Sequence, residues 1–151
     1  MLPINKTISI IERSNILFRN EAFKHMNLRG YQASYLLEIT RHPGISQEEL
    51  TRNMHIDKSN VARGLIHLSE LGYIERVQDE NDMRVLRLYP NEKGKVLAIE
   101  IKRILHKQRD YILQDFSDEE LVKFLQYLER LKERALSLAE NATIAGHGDV
   151  L

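Results

Sequence analysis

The sequence predicts a mainly α-helical fold carrying one small β-hairpin. Three observations support it. Apolar residues recur at three- and four-residue steps along most of the chain, capping boxes stand at Ser46–Glu49 and Ser117–Glu120, and two alternating runs flank a polar turn at 78–84.

Composition sets the outer bounds. A chain of 151 residues is long enough for one domain with a real core and short for two. The 42% hydrophobic and 29% charged content is ordinary for a globular protein and argues against wholesale disorder. No apolar run approaches the roughly 20 residues of a membrane span. The start MLPINKTISIIERSN lacks the basic opening and unbroken apolar stretch of a secretory signal, so the expectation is a cytoplasmic protein without a membrane partner. Cysteine is absent, which excludes disulfides, thiolate catalysis and thiolate metal ligation. The formal charge is +0, so any case for nucleic acid must be local.

The elements follow in order. Ile4, Ile8, Ile11, Asn15, Phe18, Ala22 and Met26 define one stripe of a helix over about 5–26, closed by Asn27 and Gly30. A second helix runs from Tyr31 to Arg41 with Ala33, Leu36, Leu37 and Thr40 on its buried side, and Pro43 stops it. Ser46 caps a third helix that ends near Met54, with Glu49 reaching back to complete the box. Asp57 caps the fourth, and Gly72 after Leu71 is its left-handed stop. Ile74–Val77 and Val85–Tyr89 read as paired strands. From Pro90 and Asn91 a long helix with Leu97, Ile101, Ile104, Leu105 and Ile112 on one stripe runs to about Phe116. Ser117 restarts the chain as a last helix with Leu121, Phe124, Leu125, Leu128, Leu131, Ala135 and Leu138 on one side, and the tail from Ala142 to Leu151 is expected to fray.

The fourth helix carries the functional signal. At 100° per residue, Val61, Leu65 and Leu68 share one face, while Ser59, Asn60, Arg63 and His67 lie broadly opposite. An amphipathic helix needs a polar outer face in any case, so this pattern alone is weak. Its neighbours strengthen it. Lys58, Ser59, Asn60, Ala62, Arg63 and His67 on one helix, with Ser46 and Gln47 opening the helix before it, are residues suited to base edges and phosphates. Arg84 near the hairpin tip suits an adjacent minor groove, with Asp82 or Asp79 placed to orient its guanidinium. Residues 41–95 hold nine Lys and Arg against nine Asp and Glu, so binding to a duplex would depend on the arrangement of the cations.

At this point residues 29–95 resemble the winged helix-turn-helix core of the multiple antibiotic resistance regulator (MarR) family of bacterial transcription factors. The matching stretches are Gln32, Pro43–Leu50, Ile56–Arg63, Leu71–Arg76, Asp79–Arg84 and Leu88–Gly94. With the flanking helices the likeness covers nearly all of 5–140. It implies one MarR-type domain over 1–151, with a winged helix-turn-helix DNA-binding lobe at 30–92 and a helical dimerisation lobe built from 4–26 and 95–142. It also implies a homodimer whose first and last helices interlock, recognition helices in successive major grooves, and Arg84 as the wing-tip contact. The sequence departs from the family at Ala62 and Gly64, where a hydroxyl and a larger side chain are common.

The apolar stripes of Ile4, Ile8 and Ile11 and of Leu125, Leu128 and Leu131 exceed what one small core requires, which independently favours a two-fold dimer reading a palindrome. The expected function is thus a sequence-specific regulator of transcription, a repressor, binding double-stranded DNA. No cofactor is expected. The resemblance implies a small aromatic or phenolic effector, while Phe18, Tyr31 and Tyr35 read more simply as core residues, so no ligand site is assigned. Two alternatives stand beside this reading: a winged-helix protein-interaction module, which zero net charge permits, and a metal-responsive regulator using histidines and carboxylates. The six histidines show no tight ligand spacing, and no metal site is assigned. No phosphate loop, HExxH or nucleophile-elbow pattern is present, so an enzyme is not expected.

Overall fold

Capping chemistry starts three of the helices where the sequence places them. In the computed structural model, which describes residues 3–145, the order is α1 (Ile4–Ala22), a 3-10 turn (Lys24–Met26), α2 (Gln32–Arg41), β1 (Ile45–Ser46), α3 (Gln47–Met54), α4 (Lys58–Glu70), β2 (Ile74–Gln78), β3 (Leu86–Pro90), α5 (Glu92–Leu113) and α6 (Asp118–Ala145). The chain divides into two compact units, Met1–Lys107 and Gln108–Leu151. Among the described residues no helix is long and apolar enough to cross a membrane.

In the first unit, Ser46 Oγ accepts from the Glu49 amide at 3.1 Å while Glu49 Oε2 accepts from the Ser46 amide at 2.8 Å, so both orphan donors at the start of α3 are satisfied. Asp57 does the same for α4, accepting from the amides of Ser59 (2.9 Å) and Asn60 (3.2 Å). Gly72 ends α4 at φ +71°, a conformation that glycine adopts without a Cβ penalty. The apolar faces of α2, α3, α4 and the start of α5 close on the sheet: Leu36, Ile39, Leu50, Val61, Leu65, Leu68, Leu88 and Ile101 are fully buried, each contributing about 2 kcal/mol as an upper figure.

The sheet is antiparallel with strand order β1–β3–β2, pairing Ile45 with Leu88 and Arg76 with Leu88 across the central strand. The two-residue β1 is not anticipated from sequence, because a strand that short has no readable alternation. Burial on α2 also differs from expectation. Tyr35 and Ile39 are fully buried, whereas Leu37 and Thr40 are only half-covered, so the core face is rotated by about one position. The first helix breaks at Phe23 and resumes as the 3-10 turn, with Phe23 and Met26 buried and Asn27 left-handed at φ 57°. None of the side chains of α1 itself is buried, so Ile4, Ile8 and Ile11 stand exposed.

The second unit holds the end of α5 and all of α6. Ser117 and Glu120 form the expected box, at 2.9 and 3.3 Å. The rings of Phe116 and Phe124 stack at 5.7 Å, and Leu125, Leu128 and Leu131 are exposed. The expected fraying is corrected for residues 142–145, which continue α6; the remainder of the expected frayed tail, 146–151 and with it His147, lies outside the described residues.

Candidate nucleic-acid interface

Two short helices and a hairpin meet around one cleft. Its volume is about 480 Å³, and it is lined by Ser46, Gln47, Glu48 and Thr51 of the α3 start, Lys58 of the α4 start, and Arg84, Val85 and Leu86 of the hairpin. Val61, Leu65 and Leu68 anchor α4 in the core, which turns Lys58, Ser59, Asn60 and Arg63 to solvent, with Ala62 half-covered beside them. Exposed donors on the first two turns of a helix buried by its other face are geometrically free to enter a groove.

Two of the expected contact residues are placed differently. The ring of His67 meets the Asn27 carbonyl at 2.9 Å, an arrangement in which the ring N–H donates, so His67 ties the C-terminal half of α4 to the turn after α1. One helical turn beyond Arg63, it is half-covered and held at that junction. Ser46 is buried and its hydroxyl is engaged in the cap, so it builds the α3 start, and Gln47 and Glu48 are the more exposed side chains there.

The hairpin tip is organised by carboxylates. Asp82 Oδ1 accepts from the Arg84 amide (3.0 Å) and Nε (3.1 Å), and Oδ2 accepts from Nη2 (3.2 Å), a two-pronged grip that leaves the Arg84 side chain 90% exposed. The Arg84 guanidinium holds the Asp82 carboxyl below its ordinary range. Asp79 does not share this task. It accepts from the amides of Asn81 (2.9 Å) and Asp82 (3.1 Å) through Oδ1 and from Arg87 Nε (2.7 Å) through Oδ2, and the Arg87 bond lowers its carboxyl likewise.

Arg87 is the residue that sequence reading missed. It sits on β3, where strand alternation marks it only as a partly exposed position. The available signal was charge complementarity: Val77 pairs with Arg87, which puts Asp79 within diagonal reach across the ribbon.

Gly64 faces inward against α2, so the departure noted at this position concerns packing and not the outer face of α4. Among the described residues His, Asp and Glu form no group of three that would hold a metal ion.

Comparison with known proteins then matches residues 31–86 to the MarR family model. The chain is 30% identical over 133 residues to the HTH-type transcriptional regulator YybA of Bacillus subtilis (strain 168), covering 88% of this chain and 89% of that one. A crystal structure of MarR is similar at 34% identity, with a TM-score of 0.80 over 93% of this chain and 95% of that one. A Listeria monocytogenes chain described as a MarR-family transcriptional regulator, solved in complex with a 26mer DNA, is 28% identical with a TM-score of 0.88 over 99% of both chains.

Proposed function

The chain belongs to the MarR family of transcriptional regulators, and from that premise we propose that it binds palindromic operator DNA as a homodimer and acts as a ligand-responsive repressor. The observation that carries the reading is the single cleft at which the α4 start, the α3 start and the Arg84 hairpin converge, with Lys58, Ser59, Asn60 and Arg63 exposed beside it. The relative solved with a 26mer DNA supports it by likeness. In this reading α4 lies in the major groove, where Asn60 and Arg63 address base edges, Lys58 and the α3 start address phosphate, and Arg84 reaches the flanking minor groove.

The homodimer is supported by apolar surface without cover within either unit. On α1, Ile4, Ile8 and Ile11 are 52%, 45% and 55% exposed; on α6, Leu125, Leu128 and Leu131 are 61%, 42% and 39% exposed. Monomeric proteins rarely leave contiguous patches of this kind to water. A two-fold pair would present two copies of α4 about one helical turn of DNA, roughly 34–36 Å, apart. The regulatory ligand is a small aromatic or phenolic molecule. That class of ligand is what the resemblance to the MarR family implies. Such a ligand shifts DNA affinity only by binding the two states of the dimer unequally. The protein acts in the cytoplasm.

Selection of duplexes from a random pool by the purified chain, followed by affinity measurement across a salt series, tests this function. A palindromic consensus and a linear fall of log affinity with log salt are expected. Recovery of no consensus, with salt-independent or absent duplex binding, would overturn it.

A further inference from the structure

Within the hairpin the tip is held by charge and not by packing, since Val77, Met83 and Tyr89 are all substantially exposed. The hydrogen bonds that set the tip form a continuous path back to the start of α3. Resting on the DNA-binding reading above, we infer that Arg87 is a positioning residue that fixes the height of the Arg84 wing tip relative to the α3–α4 pair.

The geometry is specific. Arg87 Nε donates to Asp79 Oδ2 at 2.7 Å, and Nη1 donates to the Gly44 carbonyl at 3.3 Å with the Glu49 carboxylate 3.5 Å away. Glu49 is the second half of the α3 capping box, and Gly44 immediately precedes β1, so one guanidinium grips the helix start and the hairpin together. Strand pairing places it there, because Ser46 opposite Arg87 is the last pair of β1 with β3. On the hairpin side Asp79 passes the constraint through the Asp82 amide to the Asp82 carboxylate, which grips Arg84. Asp79 is 16% and Arg87 35% exposed, so this pair is less open to solvent than Arg84, which projects almost fully into it. The planar fork is what allows one side chain to meet acceptors on two elements, which a lysine ammonium cannot reproduce with the same directionality. A wing held in advance forgoes part of the ordering cost of binding, so removing the grip acts through Arg84.

The test is a double-mutant cycle on the duplex that the wild-type chain selects from a random pool. Wild type, Arg84→Ala, Arg87→Gln and the double variant are compared for affinity, with thermal unfolding by circular dichroism as the folding control, and Asp79→Asn serves as a second, isosteric route to the same break. Arg84→Ala is expected to weaken binding about tenfold in the wild-type background and no more than about twofold when Arg87→Gln or Asp79→Asn is already present. Hydroxyl-radical protection of the flanking minor groove is expected to vanish in Arg87→Gln, with protection of guanine N7 in the major groove retained. If Arg84→Ala costs the same factor in every background, or the flanking protection survives, Arg87 is not a positioning residue although the DNA-binding reading stands. If the wild-type chain selects no duplex, both fall together.

Discussion

A Cβ placed on Gly64 would lie 2.6 Å from the Tyr35 ring, so α4 and α2 approach each other more closely than any other residue at 64 permits. Tyr35 is 1% exposed, so its ring is enclosed by the core. The absent side chain thus sets the depth at which α4 is seated, and with it how far Lys58, Ser59, Asn60 and Arg63 stand proud of the core.

Gly64→Ala is therefore expected to destabilise the fold in spite of alanine's better helix propensity. Overpacking costs about 1–3 kcal/mol, against roughly 1 kcal/mol gained from propensity. Gly94→Ala should be worse, because its Cβ would stand 2.0 Å from the Tyr73 carbonyl, a backbone atom that cannot rotate aside. Urea unfolding of both variants ranks them, and a Gly94→Ala midpoint at or above that of Gly64→Ala would contradict this packing account.

Much of this architecture was legible in the sequence, for identifiable reasons. Capping boxes are local, so Ser46, Asp57 and Ser117 fixed three helix starts, and Gly72 marked the end of α4. What escaped was set by neighbours distant in the chain. The pairing of β1 with β3, the engagement of His67 by Asn27 and the inward seat of Gly64 each depend on residues between 29 and 43 positions away. For the candidate site, periodicity pointed to the outward residues of α4, His67 apart, and the polar turn offered Asp79 or Asp82 to Arg84, of which Asp82 holds it, but no local pattern announces that Arg87 spans two elements.

Arg84→Ala and Arg63→Ala should separate two kinds of recognition. Arg84 is 90% exposed and its partner among the described residues is a neighbouring carboxylate, so its loss leaves the melting temperature nearly unchanged while weakening duplex binding. Arg63→Ala should lower discrimination between selected and scrambled duplexes by about tenfold, with a smaller effect on non-specific affinity. Competition assays with the two duplexes distinguish the variants.

Leu128→Glu should dissociate the proposed dimer. A carboxylate on an apolar contact surface meets a desolvation cost of several kcal/mol, far above the ~1.4 kcal/mol that shifts an equilibrium tenfold. Sedimentation velocity at micromolar protein should show the wild type as a dimer and the variant as a monomer that binds the palindrome only at much higher concentration. An unchanged sedimentation coefficient would place the interface elsewhere.

Acid stability should depend on Glu49. Hydrogen bonds from the Ser46 amide and hydroxyl lower its carboxyl below the ordinary value of 4.5, so the unfolded chain takes up this proton more readily than the folded one. The stability it contributes is complete above that ordinary value and is lost as pH falls through the depressed folded one. Asp79, lowered chiefly by Arg87, adds to the same acid limb. Glu49→Gln should flatten stability against pH below about 5, read by urea unfolding at stepped pH, and lower the neutral plateau while leaving its slope unchanged.

Since Ile45 pairs with Leu88, both helices that would face DNA and most of the hairpin that follows them are enclosed in a segment tied at its two ends. The two ends of this stretch are thus neighbours in the sheet although 43 positions separate them in the chain. A change in operator choice can therefore come from the outward side chains of this segment or from the Asp79–Arg87 pair inside it, which sets where the tip stands.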